Sequence, residues 1–356
     1  MTHRAYALSL VASILAIGGA FAVGSAELEP LSGDLARIGR YDEADFGWHG
    51  KQAHFTEPLF QVNPSRIDHD IVILGDSFSN DEAVSWPNYV AAKTGARIAT
   101  FHIRGKSWRA LLAEPSYRAS PPKIFILEVV ERDLKAMIGA IPPACGGRSS
   151  APNIRLIPHP LTGSPKHVGR PTRRTLAQID PRHFAQFQWA SLLRYLGRSS
   201  GEVVEVALTR QAFSSRRDDA TLVYTGDVLK RFWTESDLQT IDCGLRQIQD
   251  AVQRDGRTVF LALLIPDKLT AYSSDLADRS LAGLGVLDHL NARGVSLIPV
   301  ARALEAAIRA GIRDVYLPDD SHLGSAGQDA VSGALLDELS RRGILPTSLT
   351  RRPRTK

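Results

Sequence analysis

One apolar run, from Ile71 to Leu74, constrains the fold more than any other feature of this chain. Its four residues are branched and apolar, which is typical of a strand buried on both faces in a parallel sheet. The run ends at Gly75, and a glycine at this point permits a tight turn. Because open α/β sheets bind ligands beyond the carboxyl ends of their strands, we expect Asp76 and Ser77 at a ligand-binding edge.

Strands and helices alternate over most of residues 67–345. Further strands are predicted at 97–103, 123–130, 258–265 and 295–300, and helices at 86–94, 235–254, 276–292, 301–310 and 326–342. This order predicts an α/β fold, a three-layer α/β/α sandwich around a parallel sheet, of flavodoxin-like type. Residues 141–225 interrupt the alternation and are rich in Pro, Gly, Ser and Arg. They are predicted to form a large insertion, either a lid or a structural elaboration, with one helix at 183–196.

The N-terminus predicts an exported protein. Arg4 precedes the uncharged segment 5–23, and small residues follow at 24–26. This pattern is typical of a signal peptide cleaved near Ala26, but about 19 apolar residues also suffice for an uncleaved membrane anchor. Both alternatives place the rest of the chain in the periplasm, soluble or tethered to the inner membrane. Residues 27–66 are predicted to be an N-terminal arm, and 346–356 a disordered basic tail.

Composition excludes several classes of protein. With 44% hydrophobic and 23% charged residues, the chain is globular rather than disordered. The net charge is +5, but no basic stripe is interleaved with aromatic residues, so no nucleic-acid partner is expected. Cys145 and Cys243 have no histidine cluster nearby, so no zinc site is predicted, nor any other metal or cofactor. An exported protein permits a disulfide between them, and the sequence leaves this pairing open.

A base for Ser77 is available near the C-terminus, where Asp319, Asp320 and His322 lie within four residues. A serine hydroxyl becomes a nucleophile when a base takes its proton and a third group orients that base. His322 is the predicted base, and either Asp320 or Asp319 is the orienting carboxylate. The alternative role of both aspartates is to cap the helix that follows. The combination predicts acyl transfer through an acyl-serine.

Three more residues are candidates for binding the oxyanion or the substrate. Gly105 follows the second strand and can bring a backbone N–H close because it lacks a side chain. Arg132 follows the third strand and would donate to an oxyanion or a substrate carboxylate, or pair with a neighbouring carboxylate. Lys268 follows strand 258–265 and opens towards the same edge. The other histidines singled out are predicted to be structural or solvated: His49, His54, His102, His159, His167 and His183.

These motifs resemble those of the SGNH/GDSL hydrolase superfamily. The resemblance consists of Gly75-Asp76-Ser77, Gly105 in the second block and the late Asp-x-His or Asp-x-x-His, and it covers roughly 67–340 outside the insertion. The third block departs from the pattern, because residues 128–132 read Glu-Val-Val-Glu-Arg where the superfamily usually has Gly-x-Asn-Asp. The usual SGNH register implies Asp319 as the triad acid and the Asp-x-His register implies Asp320, which we favour.

The chain is also similar to the SGNH-like proteins that O-acetylate polysaccharides, which are related to the alginate acetylation proteins. The similar segments are the Glu-x-x-Glu-Arg block, 265–272 and 316–322, with Leu323 where that branch has Trp. The resemblance implies an O-acetyltransferase for an exported polysaccharide, which receives its acetyl groups from a membrane-bound O-acyltransferase. The alternatives are a carbohydrate esterase or deacetylase, and a non-catalytic polysaccharide-binding or assembly protein.

Overall fold

The computed structural model describes residues 2–138, 150–161, 164–171, 180–198, 201–283, 285–292 and 295–346. Its strands are β1 (Gln52–His54), β2 (Gln61–Val62), β3 (Ile71–Gly75), β4 (Ile98–His102), β5 (Ile124–Val130), β6 (Lys166–Val168), β7 (Val203–Ala207), β8 (Ala220–Tyr224) and β9 (Val259–Ile265). Five of them form a parallel sheet in the order β2-β4-β3-β5-β9. Strands β1 and β6 form an antiparallel pair, as do β7 and β8.

Fifteen α-helices accompany these strands in the described residues. They are α1 (His3–Leu28), α2 (Asp34–Gly39), α3 (Glu43–Phe46), α4 (Ser77–Asn80), α5 (Pro87–Thr94), α6 (Trp108–Ala113), α7 (Pro115–Ala119), α8 (Leu134–Met137), α9 (Pro181–Tyr195), α10 (Thr225–Leu229), α11 (Glu235–Gln253), α12 (Lys268–Ala271), α13 (Val286–Ala292), α14 (Val300–Arg309) and α15 (Ser325–Arg341). Short 3₁₀ turns lie at Glu131–Asp133, Lys230–Phe232, Ser273–Asp275 and Arg279–Leu281.

Two apolar cores lie on opposite faces of the parallel sheet. Successive side chains of a strand point to opposite faces, so Ile71 and Ile73 of β3 pack into one core with α5, α14 and α15. Val72 and Leu74 pack into the other core with α6, α11 and α13. All five residues of β3 are buried, as predicted for a strand covered on both sides. The fold is therefore mixed α/β with a five-stranded parallel sheet, an arrangement compatible with an α/β sandwich.

Two of the predicted elements are wrong in extent. At 295–300 there is an isolated parallel bridge between Leu297 and Ala262 instead of a strand. Pro299 has no N–H for a ladder, and α14 begins directly after it. The predicted helix 276–292 is α-helical only from Val286, with a 3₁₀ turn at Arg279–Leu281, because Gly283 and Gly285 disfavour an α-helix between them. The other predicted strands and helices are confirmed to within a few residues.

The predicted insertion, 141–225, contains α9 and the hairpin of β7 and β8. The hairpin packs against the loop that carries the late aspartates, since Leu222 donates its N–H to the Pro318 carbonyl oxygen at 3.0 Å. Cys243 lies buried on α11 and is disulfide-bonded. Cys145 lies outside the described residues, and so do residues 347–356 of the predicted tail.

The N-terminal segment forms one long apolar helix, α1. Its length and composition would allow it to cross a membrane, and a signal peptide or a membrane anchor both have these properties. It is continuous through residues 24–26, where cleavage was predicted.

Candidate active site

Ser77, His322 and Asp320 form a hydrogen-bonded chain at the carboxyl edge of the sheet. Ser77 is the first residue of α4, directly after the turn that ends β3. His322 Nε2 lies 2.7 Å from Ser77 Oγ, and His322 Nδ1 lies 2.6 Å from Asp320 Oδ1. An ionised carboxylate only accepts hydrogen bonds, so Nδ1–H donates to Asp320 and Nε2 accepts from the Ser77 hydroxyl. This tautomer is the one that a general base next to serine requires.

The electrostatics of this chain favour an ionised Asp320 and a strong base at His322. Burial acts to raise the pKa of Asp320, but the hydrogen bond from His322 and the charges of His322 and Lys268 hold that pKa well below its ordinary value. Burial acts to lower the pKa of His322, but the hydrogen bond to Asp320 and the Asp320 charge raise it above its ordinary value. Each partner thus stabilises the charged form of the other.

The structure places Asp319 away from His322. Its side chain is fully buried, and neither carboxyl oxygen has a hydrogen-bond partner among the described residues. Burial, together with the negative charge of Asp320, raises the pKa of Asp319 to about 8. Asp319 is therefore a largely protonated carboxyl at neutral pH and does not face the imidazole, whereas Asp320 does.

The N-terminal arm fixes the loop that carries Asp320 and His322, which the sequence did not indicate. Asp34 of α2 accepts hydrogen bonds from Ser321 N at 2.8 Å and from Ser321 Oγ at 2.7 Å. The Asp34 N–H donates to Asp320 Oδ2 at 3.3 Å. An aspartate in an arm whose sequence has no clear period carries no signal for this role, because its partners are almost 290 residues away.

A buried carboxyl network holds the turn between β3 and Ser77. Asp76 Oδ2 accepts the Val130 N–H at 2.9 Å, which ties the turn to the end of β5. The Asp76 N–H and the Ser79 hydroxyl both donate to Glu128 Oε2, at 3.0 and 2.9 Å. Burial and the charge of Asp76 raise the pKa of Glu128 well above its ordinary value. The first Glu of the Glu-x-x-Glu-Arg block thus supports the serine turn.

Close packing explains Gly75 better than turn conformation does. Its φ is not among the positive values in the described chain. A Cβ placed on Gly75 would lie 2.3 Å from Ser79 Oγ and 2.5 Å from Glu128 Oε2. Both atoms belong to the buried network, so neither can move aside without breaking a hydrogen bond.

Of the three candidates for oxyanion or substrate binding, the structure brings only Arg132 to Ser77's cavity. The Gly105 N–H already donates to the His102 carbonyl oxygen at 2.9 Å, in an exposed turn. Arg132 lines a cavity with Ser77, and its guanidinium lies 3.5 Å from Asp227 and 4.9 Å from the centre of the Tyr224 ring.

Lys268 lies behind the site rather than in it. Its Nζ is buried and donates to Thr221 Oγ1 at 3.0 Å, the Leu222 carbonyl at 2.9 Å and the Pro318 carbonyl at 3.2 Å. Burial lowers its pKa to about 8, although nearby aspartates oppose this shift. Lys268 therefore crosslinks β8 to the loop before Asp319, which is a structural role.

Two cavities of different character meet at Ser77. One has a volume of about 550 Å³ and polar walls that include Arg104, Arg132 and Tyr224. The other has a volume of about 630 Å³ and a largely apolar surface, with walls that include these residues: Trp48, Val84, Val168, Pro171, Leu317 and Leu323. We call them the polar cavity and the apolar cavity. Both are lined by Ser77 and His322, so a group in either cavity reaches the same hydroxyl.

His102 lines both cavities, although the sequence gave it a structural or solvated role. It is the last residue of β4 and lies beside Gly75 in the parallel register. His102 Nδ1 accepts the Arg104 N–H at 3.2 Å, so a neutral ring carries its proton on Nε2. Its position at the carboxyl end of a strand next to β3 was a signal that could have identified it. His54 also lines the apolar cavity.

One group of side chains in the described residues could approach a metal ion: Asp34, Asp320 and His322, with ligand atoms within 4.8 Å of one another. These atoms already bond to protein groups, since His322 pairs with Asp320 and Asp34 accepts from Ser321. The hydrogen bonds account for the grouping, and we assign no metal to it.

Comparisons with known proteins gave no match. No family model matches the chain, and neither does any curated protein or solved structure. The functional argument therefore depends on the geometry around Ser77 and on the sequence motifs.

Proposed function

We propose that this protein is an exported SGNH-type serine acyltransferase that O-acetylates a polysaccharide. The observation that carries the proposal is the hydrogen-bonded chain from Asp320 through His322 to Ser77, at the point where the two cavities meet. The same chain of groups argues against a protein that only binds polysaccharide, since binding does not require an activated serine.

In the first half-reaction, Ser77 Oγ attacks the carbonyl carbon of an acetyl ester donor while His322 Nε2 takes the hydroxyl proton. The tetrahedral intermediate collapses, the C–O bond to the donor breaks, and His322 returns the proton to the leaving oxygen. In the second, a sugar hydroxyl attacks the acetyl-serine, its proton goes to His322, and Ser77 leaves and takes that proton back. Asp320 stabilises the imidazolium in both steps.

The oxyanion of each intermediate needs hydrogen-bond donors. We assign this role to the backbone N–H of Ser77 and the Nε2–H of His102, which lines both cavities. Gly105 is not assigned, because its N–H donates to a backbone carbonyl. His102 takes the place of the Asn donor that the third block lacks. Removing one oxyanion donor lowers the rate by roughly 10²–10³.

The two cavities offer one place for the acyl donor and another for the sugar acceptor, as transfer requires. The apolar cavity suits the acyl group of the donor. The polar cavity offers donors from Arg104, Arg132 and Tyr224 and acceptors from Asp133 and Glu202, and this mixture suits the hydroxyls of a sugar. A carbohydrate esterase would use the same triad with water as the acceptor.

The fold and the N-terminus support the rest of the proposal. A parallel sheet with a core on each face supports the three-layer α/β/α sandwich of the SGNH type. The apolar helix α1 supports export to the periplasm, where a membrane-bound O-acyltransferase would deliver the acetyl groups.

The test follows both products of the reaction. The full chain, in detergent, is incubated with p-nitrophenyl acetate and oligosaccharide acceptors, and mass spectrometry follows free acetate, acetylated sugar and acetylated protein. We expect acetylated sugar and an acetyl group on Ser77. Ser77→Ala should abolish both, whereas Ser236→Ala, an exposed serine on α11, should change neither. Free acetate alone would mean an esterase, and unchanged activity in Ser77→Ala would refute the triad.

A further inference from the structure

The end of α1 is packed into the protein at the place where a signal peptidase would have to cut. Ser25 is fully buried, and its Oγ accepts the N–H of Phe184 in α9 at 3.1 Å. The rings of Phe21 and Phe184 meet edge to face, with centroids 5.2 Å apart. A Cβ on Gly24 would lie 2.4 Å from the Phe184 ring, so the small residue here serves helix packing. In a chain that retains α1, the small residues at 24–26 therefore serve the packing of α1 against α9.

The exposure of α1 changes where α9 meets it. Residues 3–20 are exposed, whereas burial begins at Phe21. The exposed part has a rise of about 27 Å at 1.5 Å per residue, close to the roughly 30 Å of a bilayer's hydrocarbon core. The helix therefore has the length to span a bilayer up to its contact with α9, and in a chain that spans the bilayer in this way the contact would lie at the membrane surface.

Helix α9 carries an apolar face that no described residue covers. Trp189, Leu192 and Leu196, the residue that caps the C-terminus of α9, are three and four residues apart, so they lie on one side of the helix. Their exposed fractions are 62%, 46% and 59%, and the neighbouring Tyr195 is 88% exposed. Tryptophan and tyrosine concentrate at the membrane–water interface, where one end of the ring is apolar and the other polar. We call this set the α9 apolar face.

The opposite side of α9 faces the protein, and a basic residue lies beside the α9 apolar face. On the side opposite the α9 apolar face, Ala190 is buried and Arg194 donates to the carbonyls of Gly39 and Arg40, at 3.0 and 2.9 Å. Arg182, exposed and seven residues before Trp189, lies on the same side as the apolar face. A basic residue beside an apolar stripe suits a surface of anionic phospholipids.

We propose that α1 remains attached as a membrane anchor and that the α9 apolar face lies in the surface of an anionic phospholipid bilayer. Anchor and surface helix are in direct contact through Phe184, so the bilayer that receives α1 lies beside α9. This inference does not depend on the reaction at Ser77.

The test uses the full chain reconstituted into vesicles of phosphatidylcholine and phosphatidylglycerol with brominated acyl chains, which quench tryptophan at the bilayer. We expect quenching of the wild-type fluorescence and loss of most of it in Trp189→Phe. Trp108→Phe is the matched control, because Trp108 lies on α6, against the core of the globular domain, and its loss should leave the quenching intact. Mass spectrometry of the protein purified from membranes should show residues 1–26 still present.

Three outcomes would overturn the proposal. The first is quenching that Trp189→Phe leaves unchanged, and the second is a mature chain that begins near Ala26. The third is a crosslinked dimer that forms through Trp189 in place of quenching, which would mean that a second copy of the chain covers the α9 apolar face.

Discussion

Replacing the two neighbouring aspartates by asparagine, one at a time, tests which carboxylate orients His322. Asp320 lies 2.6 Å from His322 Nδ1, and Asp319 is a buried carboxyl with a pKa raised to about 8. Asp320→Asn removes a negative charge that stabilises the imidazolium of the transition state. Unit charges about 4 Å apart at an effective dielectric constant of about 20 interact by about 4 kcal/mol, which corresponds to roughly a thousandfold in rate.

A tautomer effect adds to this loss, because an amide can donate to Nδ1 and move the ring proton to Nε2. The same substitution in a serine-protease triad costs about 10⁴ in kcat. We therefore expect kcat for acetyl transfer to fall by roughly 10³–10⁴ in Asp320→Asn. Asp319→Asn replaces a mostly neutral group by another of the same shape, so its kcat should stay within about tenfold of the wild type.

The assay is the steady-state rate of acetyl transfer, measured with the thermal unfolding midpoint of each variant. The unfolding midpoint separates a lost charge from a lost fold. Equal losses in both variants, or a larger loss in Asp319→Asn at an unchanged midpoint, would refute the assignment of Asp320.

Three further predictions follow from the same contacts. The pKa of His322 is raised and the base must be neutral, so activity should fall as the pH drops through a midpoint above the ordinary pKa of histidine. Asp320→Asn should move that midpoint to lower pH. A pH–rate profile that this variant leaves unmoved would contradict the prediction. Gly75→Ala should destabilise the fold by about 1–3 kcal/mol by overpacking. In the control Gly105→Ala, the new Cβ would meet only a carbonyl oxygen at 3.5 Å, so stability and activity should stay near wild type. Denaturant unfolding of both variants measures the difference, and equal effects would argue against the packing role of Gly75. Arg132→Ala should raise KM for the sugar acceptor more than KM for p-nitrophenyl acetate, since Arg132 lines the polar cavity and not the apolar one. Two-substrate kinetics measures both KM values. A larger rise in KM for p-nitrophenyl acetate would mean that the donor binds in the polar cavity and the sugar in the apolar one.

The sequence by itself determined the elements that repeat a local pattern. The branched run 71–74, the strands at 123–130 and 258–265, and the amphipathic helix α11 follow from residue type and period, and the structure has each of them. The same patterns placed Ser77 at the carboxyl edge of a parallel strand. They failed where a proline or two glycines interrupted the hydrophobic run, at 295–300 and 276–292.

Only the tertiary structure decided which groups meet at that edge. Asp319 and Asp320 are adjacent and chemically identical, so their spacing to His322 left both possible, and the difference arises from which carboxyl the fold buries and which it turns towards the ring. Asp34 comes to the site from the N-terminal arm and His102 from a neighbouring strand, through contacts that no local period encodes. Gly105 and Lys268 were predicted for the site from strand ends alone, yet their donors bind backbone carbonyls and a threonine hydroxyl instead. A local pattern fixes a residue's own backbone, whereas the partner of a side chain depends on segments distant in sequence, and the folded chain alone brings those together.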